Sequence, residues 1–294
     1  MDIIEIFKRF PQQEDCISYL EKVRWNGSPK CPYCGSTRST PLANEQRHHC
    51  NNCNTSYSVT VNTIFHQTHL PLQKWLLAVS LILNAKKGIS SRQLARDLDV
   101  HRNTAWRISM KIREAMSQKD HRELLTGIVE MDETYIGPRK PRRECPGDNR
   151  HDRGHCSNKT PVVGMVERGD YGEVRATVTK KDQLKAHDLS ALVRKNVDPS
   201  QSLLMTDQYA GYGAISSFMP HRTVNHQVWY VDGDASTNTV ESFWALLKRG
   251  IVGQFHKVSS RHLGKYVAEF CYRWNNRRNA DIFGLTIAKA LGVA

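Results

Sequence analysis

Gly127-Ile-Val-Glu-Met-Asp-Glu-Thr-Tyr-Ile-Gly137 is β-branched and aromatic through its length and closes on Gly137-Pro138, so it reads as one strand ending in a turn. Asp132 and Glu133 sit side by side within it. Side chains alternate across a strand, so these two carboxylates face opposite sides of any sheet, and only one can serve a given site. An acid in mid-strand either faces water at an edge or meets a positive charge. Hard cations such as Mg²⁺, which take oxygen ligands, are the natural partners. The choice depends on whether other carboxylates arrive on similar terms.

Two more do. Strand-like runs at 161–166 and 173–179 suggest an antiparallel meander with the first strand. A helical run over 185–196 then leads into Leu203-Leu-Met-Thr-Asp207, and this strand–helix alternation points to parallel pairing. A mixed sheet flanked by helices satisfies both. Asp207 ends a buried strand, where ligands collect in α/β sheets. Next, Ser236-Thr-Asn-Thr-Val-Glu-Ser-Phe-Trp-Ala-Leu-Leu-Lys-Arg-Gly250 has a capping Ser236 or Thr237 and a buried stripe of Val240, Phe243, Trp244 and Leu247. Asn238, Glu241 and Lys248 share one helix face beside that stripe. Taken alone, they would be a solvated face.

The chain has 294 residues, enough for several domains, and a formal net charge of +13. That excess points to a polyanion, with nucleic acid ahead of an anionic membrane surface. No apolar run is long enough to span a bilayer, and the N-terminus lacks the layout of a secretory signal. A reducing cytoplasm is therefore the expected location, with the eight cysteines not counted as disulfides. Cys31-Pro-Tyr-Cys34 and Cys50-Asn-Asn-Cys53 have the spacing of a four-cysteine zinc ribbon. In such a ribbon four thiolates surround a structural Zn²⁺ and metal binding supplies the folding energy. Cys145, His151, His155 and Cys156 fit no comparable pattern.

After the ribbon, an apolar helix over 70–83 precedes Ser90-Ser-Arg-Gln-Leu-Ala-Arg-Asp-Leu-Asp-Val-His-Arg-Asn-Thr-Ala-Trp-Arg-Ile108. Two short helices joined at Asp99-Val100 have the composition and length of a helix-turn-helix, an ordinary helical hairpin being the alternative. Arg102, Asn103, Trp106 and Arg107 would open the recognition helix toward base edges, with Arg92 and Lys111 toward phosphates. The expected domains are a helical lead-in (1–25), the ribbon (26–62), the helix-turn-helix (63–120) and a catalytic domain (121–294) carrying a basic loop at 138–160. The fold class is thus multidomain, α+β with α/β.

The order Asp132, Asp207, Glu241 resembles the DDE transposases and integrases with a ribonuclease-H-like core. More narrowly, the chain resembles bacterial insertion-sequence transposases with an N-terminal zinc ribbon, the ISXO type. The two cysteine knuckles, Met131-Asp-Glu-Thr-Tyr-Ile-Gly137, Thr206-Asp207, Tyr209-Ala-Gly-Tyr212 and Asn238-x-x-Glu241 with Lys248 carry the resemblance, with Phe270-x-x-Arg273-x-Asn275-x-Arg277 beyond. It implies two Mg²⁺ or Mn²⁺ ions about 4 Å apart, bridged by Asp132 and held by Asp207 and Glu241, with Asn238 the alternative third ligand. Lys248, Arg273 and Arg277 would contact phosphates. The implied partners are double-stranded DNA, as terminal inverted repeats and target, and a second copy of the chain in a dimer or higher assembly. A DNA-binding regulator with a dead core, and a nuclease without strand joining, are the alternatives.

Overall fold

The computed structural model describes residues 1–117, 123–137, 159–224 and 237–293, which fall into two compact units. The basic stretch 138–158, with Cys145, His151, His155 and Cys156, lies outside the described residues.

The first unit opens with helices α1 (Ile3–Arg9) and α2 (Gln13–Trp25), separated at Pro11 as proline dictates. A small antiparallel sheet follows: β1 (Ser39–Leu42), β2 (Arg47–Cys50) and β3 (Thr55–Tyr57). Helix α2 is stitched to this ribbon. Trp25 packs edge-on against His48 and Tyr57, and Arg24 donates to the carbonyls of Val59 and Val61 at 2.7 and 2.8 Å. Three helices come next, α3 (Leu72–Asn84), α4 (Ser91–Leu98) and α5 (Arg102–Met116). Ser90 caps α4 through the Gln93 amide, and Asp99 takes a left-handed conformation (φ 49°) to make the turn into α5.

The second unit is built on a mixed sheet. Strand β4 (Leu125–Ile136) pairs antiparallel with β5 (Thr160–Glu167), which pairs antiparallel with β6 (Val174–Val178). On its other side β4 pairs parallel with the strand that follows helix α6 (Ala186–Asn196), namely β7 (Val197–Asp207). Strand β8 (His221–Val224) closes that edge, parallel to β7, so the order is β6-β5-β4-β7-β8. Helices α7 (Asn238–Arg249) and α8 (Ser260–Asn275) complete the unit, with a π-helical turn over Gly250–Phe255 carrying the chain past Gly250.

Each face of the sheet has its own core. Val129, Met131, Val163, Met165 and Leu204 pack with Leu189 and Val193 of α6 on one side. Ile136, Val162 and Val166 pack with Val240, Phe243, Trp244 and Leu247 of α7 and Leu263, Val267 and Phe270 of α8 on the other. This is why β5 is apolar almost throughout, as expected of a strand covered on both faces. The mixed sheet flanked by helices is as the sequence implied.

The last helix, α9 (Ile282–Leu291), corrects the domain assignment. Residues 279–294 belong with the first unit, where α9 packs against α2, α3 and α5, and the Ala290 carbonyl accepts from the Ile64 amide at 3.2 Å. Its buried Phe283, Ile287 and Leu291 need an apolar partner, and they have one there. No described helix is long and apolar enough to cross a membrane.

Candidate active site

The parallel register between β4 and β7 runs to Glu130 opposite Met205. Two residues further along each strand stand Asp132 and Asp207. Since both strands keep period two, the two carboxylates lie side by side on the face that α7 covers. Helix α7 brings Glu241 to the same face, in its first turn. Its indole at Trp244 donates from Nε1 to Asp132 Oδ2 at 3.0 Å. The Asp132 carboxyl is pushed up from 3.8 to about 6, first by burial and then by Asp207, with Glu241 adding to the effect. Asp207 and Glu241 therefore both act on Asp132 electrostatically. Asp207 Oδ1 accepts from the Tyr209 amide at 3.0 Å, which fixes the strand end.

Glu133 faces the opposite side, as strand alternation requires, and accepts a hydrogen bond from the Tyr212 hydroxyl. Burial raises its carboxyl from 4.5 to about 7.

One residue of the site escaped the sequence reading. Glu130 is fully buried, and its carboxylate accepts from the Thr239 amide at 2.7 Å, the Val240 amide at 2.9 Å and Thr239 Oγ1 at 3.0 Å. Arg168 Nε pairs with it at 2.6 Å. Unpaired amides at a helix N-terminus favour an anion, so Glu130 docks the start of α7 onto β4 and sets where Glu241 lies. The signal in the sequence was slight: an acid two residues before Asp132, on the same strand face.

Asn238, Glu241 and Lys248 are exposed on α7. Thr237 rather than Ser236 is the N-cap residue, and its hydroxyl donates to Glu241 Oε1 at 3.3 Å. Arg273 and Arg277, expected to face phosphates, both have partners within the protein. Arg273 pairs with the buried Glu269 at 3.3 Å. Arg277 donates to the carbonyls of Asp170, Gly172 and Trp274, pinning the β5–β6 turn to α8. Arg273 is held by a buried acid, whereas Arg277 reaches its carbonyl acceptors from an exposed position.

In the first unit, Arg102, Asn103, Trp106 and Arg107 are exposed along the first two turns of α5, and Arg92 is exposed on α4. Lys111 donates to the Ile64 carbonyl at 2.8 Å, tying α5 to the segment before α3. Among the described residues, the four cysteines are the group of metal-ligating side chains gathered tightly enough to hold an ion. Cys31, Cys34, Cys50 and Cys53 have their sulfurs all within 4.8 Å, with Cys31–Cys53 at 3.7 Å and Cys34–Cys50 at 3.5 Å. Zinc–sulfur bonds of about 2.3 Å in a tetrahedron put sulfurs about 3.8 Å apart, so the cage fits Zn²⁺.

Comparison with known proteins agrees with this architecture. Residues 124–275 match the ISXO2-like transposase domain, and residues 11–56 match the transposase zinc-ribbon domain, which includes α2 as the packing does. A protein of Halobacterium salinarum, described as an uncharacterized protein in transposable element ISH50, is 27% identical over 280 residues, covering 90% of this chain and 92% of that one. The Mos1 transposase paired-end complex with left transposon end aligns over 69% of this chain and 76% of its own at 12% identity, with a TM-score of 0.22, too slight a likeness to carry weight. With just over half its length matched by the transposase domain and a zinc-ribbon match ahead of it, the chain belongs to the ISXO2-like family of transposases.

Proposed function

We propose that the chain is the transposase of an insertion sequence, which binds the element's terminal inverted repeats, cleaves phosphodiester bonds at its ends and joins them to target DNA. One observation carries the reading: Asp132 and Asp207 stand in step on one face of adjacent parallel strands, under the helix that carries Glu241.

The donor set suits divalent metal. All three candidates are hard oxygen ligands, and among the described residues no Lys, Arg or His forms an ion pair with Asp132 or Asp207. Two Mg²⁺ or Mn²⁺ ions held there would supply Lewis-acid activation of the attacking oxygen and charge neutralisation at the leaving one. Asp132 would face both ions, with Asp207 and Glu241 each serving one, and Asn238 the alternative to Glu241. Trp244 fixes one oxygen of Asp132 and so orients the carboxylate. Lys248, about two turns beyond Glu241 on the exposed face of α7, would meet a phosphate of the transposon end.

Recognition of the ends falls to the first unit. Arg102, Asn103, Trp106 and Arg107 form an exposed edge at the start of α5, suited to the major groove, with Arg92 beside it for the backbone. The four cysteines would hold a structural Zn²⁺ that maintains the ribbon. Transposition joins two ends, so a dimer or larger assembly on DNA is part of the proposal, as is a cytoplasmic setting at the nucleoid.

The test is Mn²⁺-dependent cleavage of DNA bearing the element's end, followed by joining of a pre-cleaved 3′-hydroxyl end to a target plasmid. Wild type should cut and join. Asp207→Asn should bind the end and do neither, with a loss on the order of a hundredfold or more. Comparing Glu241→Gln with Asn238→Ala identifies the third ligand. Cutting without joining would make the protein a nuclease, and binding without cutting would make it a regulator.

A further inference from the structure

A cationic cleft lies in the catalytic unit, at the end of β4 beyond Asp132. Lys159, Lys180, Lys181 and Arg261 line a cleft of about 700 Å³, together with the polar Thr160, Thr179, Gln183 and Ser260. Among the described residues no acidic side chain lines it, although Asp182 follows Lys181 in the chain. Four cations around one concavity repel one another and gain by enclosing an anion.

The fold explains how they meet. Thr160 opens β5 opposite Ile136, the end of β4, and Val178 ends β6 opposite Val162. Lys159 and Lys180 thus flank the same end of the sheet. Helix α8 starts at the cleft with Ser260 and Arg261, and the amides of both precede its first internal hydrogen bonds. Those amides add partial positive charge to that of the side chains. The cleft lies at the end of the sheet toward which β4 runs from Asp132. Ile136 is four residues beyond Asp132, roughly 13 Å at strand rise.

We infer that this cleft is a binding site for the phosphodiester backbone of duplex DNA, holding it beyond the scissile bond. The inference rests on the transposase reading for the identity of the polyanion. The cleft gives the catalytic unit its own grip on DNA, independent of the helix-turn-helix. Phosphate contacts of this kind position a duplex without reading its sequence. A free phosphate or pyrophosphate has the same chemistry, so the experiment must separate the two sources.

The experiment measures binding of the full-length chain to a short linear duplex of unrelated sequence across a salt series. It compares wild type with Lys180→Gln/Lys181→Gln and, separately, with Lys159→Gln/Arg261→Gln. Thermal melts establish that each variant is folded, and two variants on different elements guard against the loss of one. The expected result is weaker binding at low salt and a salt slope smaller by about 0.9 for each phosphate that the variant no longer neutralises. Slopes equal to wild type in both variants would overturn the inference. So would saturable pyrophosphate binding that the variants abolish while duplex binding stands unchanged. Failure of the transposase reading would look different: no cleavage of end DNA by wild type, whatever the slopes.

Discussion

Gly164 stands directly across from Asp132 in the β4–β5 ladder, and a methyl group there would come within 2.6 Å of the Trp244 ring. The bare backbone at Gly164 lets the indole lie against the sheet and reach Asp132. Space, and not backbone conformation, is what glycine provides here. Gly164→Ala should cost about 1–3 kcal/mol by overpacking, read by urea denaturation. It should also weaken metal-dependent cleavage, because the displaced indole no longer orients Asp132. A fully active, equally stable Gly164→Ala protein would show that Trp244 plays no such part.

Glu130 invites a sharper test. Its carboxylate is wholly buried, and removing it strands two amides of α7 and takes from Arg168 the carboxylate it pairs with. Glu130→Ala should destabilise the catalytic unit by about 3 kcal/mol. Arg168→Ala should cost less, since that side chain is 22% exposed and water can replace part of its role at Glu130. Cleavage should fall more in the Glu130 variant than lost folding explains, because Glu241 travels with α7. Equal stability of the two variants would sink the docking role.

These two residues mark the limit of what the sequence made legible. Asp132, Asp207 and Glu241 each sit where a local pattern changes, in mid-strand, at a strand end and in a first helical turn, so their types and positions spoke together. Glu130 has the same strand alternation but draws its meaning from amides at Thr239 and Val240, which only the tertiary fold brings to it. The address of α9 was hidden for a similar reason. Its apolar residues required burial without saying against what, and adjacency in the chain pointed to the wrong unit. The partners of Arg273 and Arg277, a buried glutamate and turn carbonyls, leave no periodic trace in the sequence. The cysteine cage was legible in full, since tetrahedral ligation ties spacing to geometry.

On the far side of the sheet, Glu133 should make stability depend on pH. Its carboxyl is raised from 4.5 to about 7, by burial first and then by Asp132 and Asp207, while the Tyr212 hydroxyl works in the opposite direction. The folded state therefore holds this proton more tightly than the unfolded chain does. Its contribution is complete below about pH 4.5 and is lost as pH rises through about 7. Asp132, raised to about 6, acts in the same sense. In buffer free of Mg²⁺ and Mn²⁺, the Tm of Glu133→Gln relative to wild type should shift in the variant's favour between pH 5 and pH 8. A difference that stays constant over that range would refute the assignment.

The ribbon should be unable to hold its shape without metal. Four sulfurs within 4.8 Å cannot all ionise unless a cation stands among them, and the small sheet around them buries little beyond Tyr57, Val61 and the cysteines. Cys34 is the thiol poised to ionise, pulled down from 9.0 to about 6 by the backbone at Ser36 and by the Asn52 side chain. Elemental analysis of wild type should therefore find one zinc per chain, and Cys50→Ser/Cys53→Ser should find none. Zinc uptake by the stripped protein should release protons and weaken as the solution is acidified, since thiols must ionise to bind. Limited proteolysis of the stripped form should cut first within residues 26–62 while the catalytic unit resists. Zinc-free wild type with an intact, protease-resistant ribbon would mean that the packing of Trp25, His48 and Tyr57 suffices to fold it.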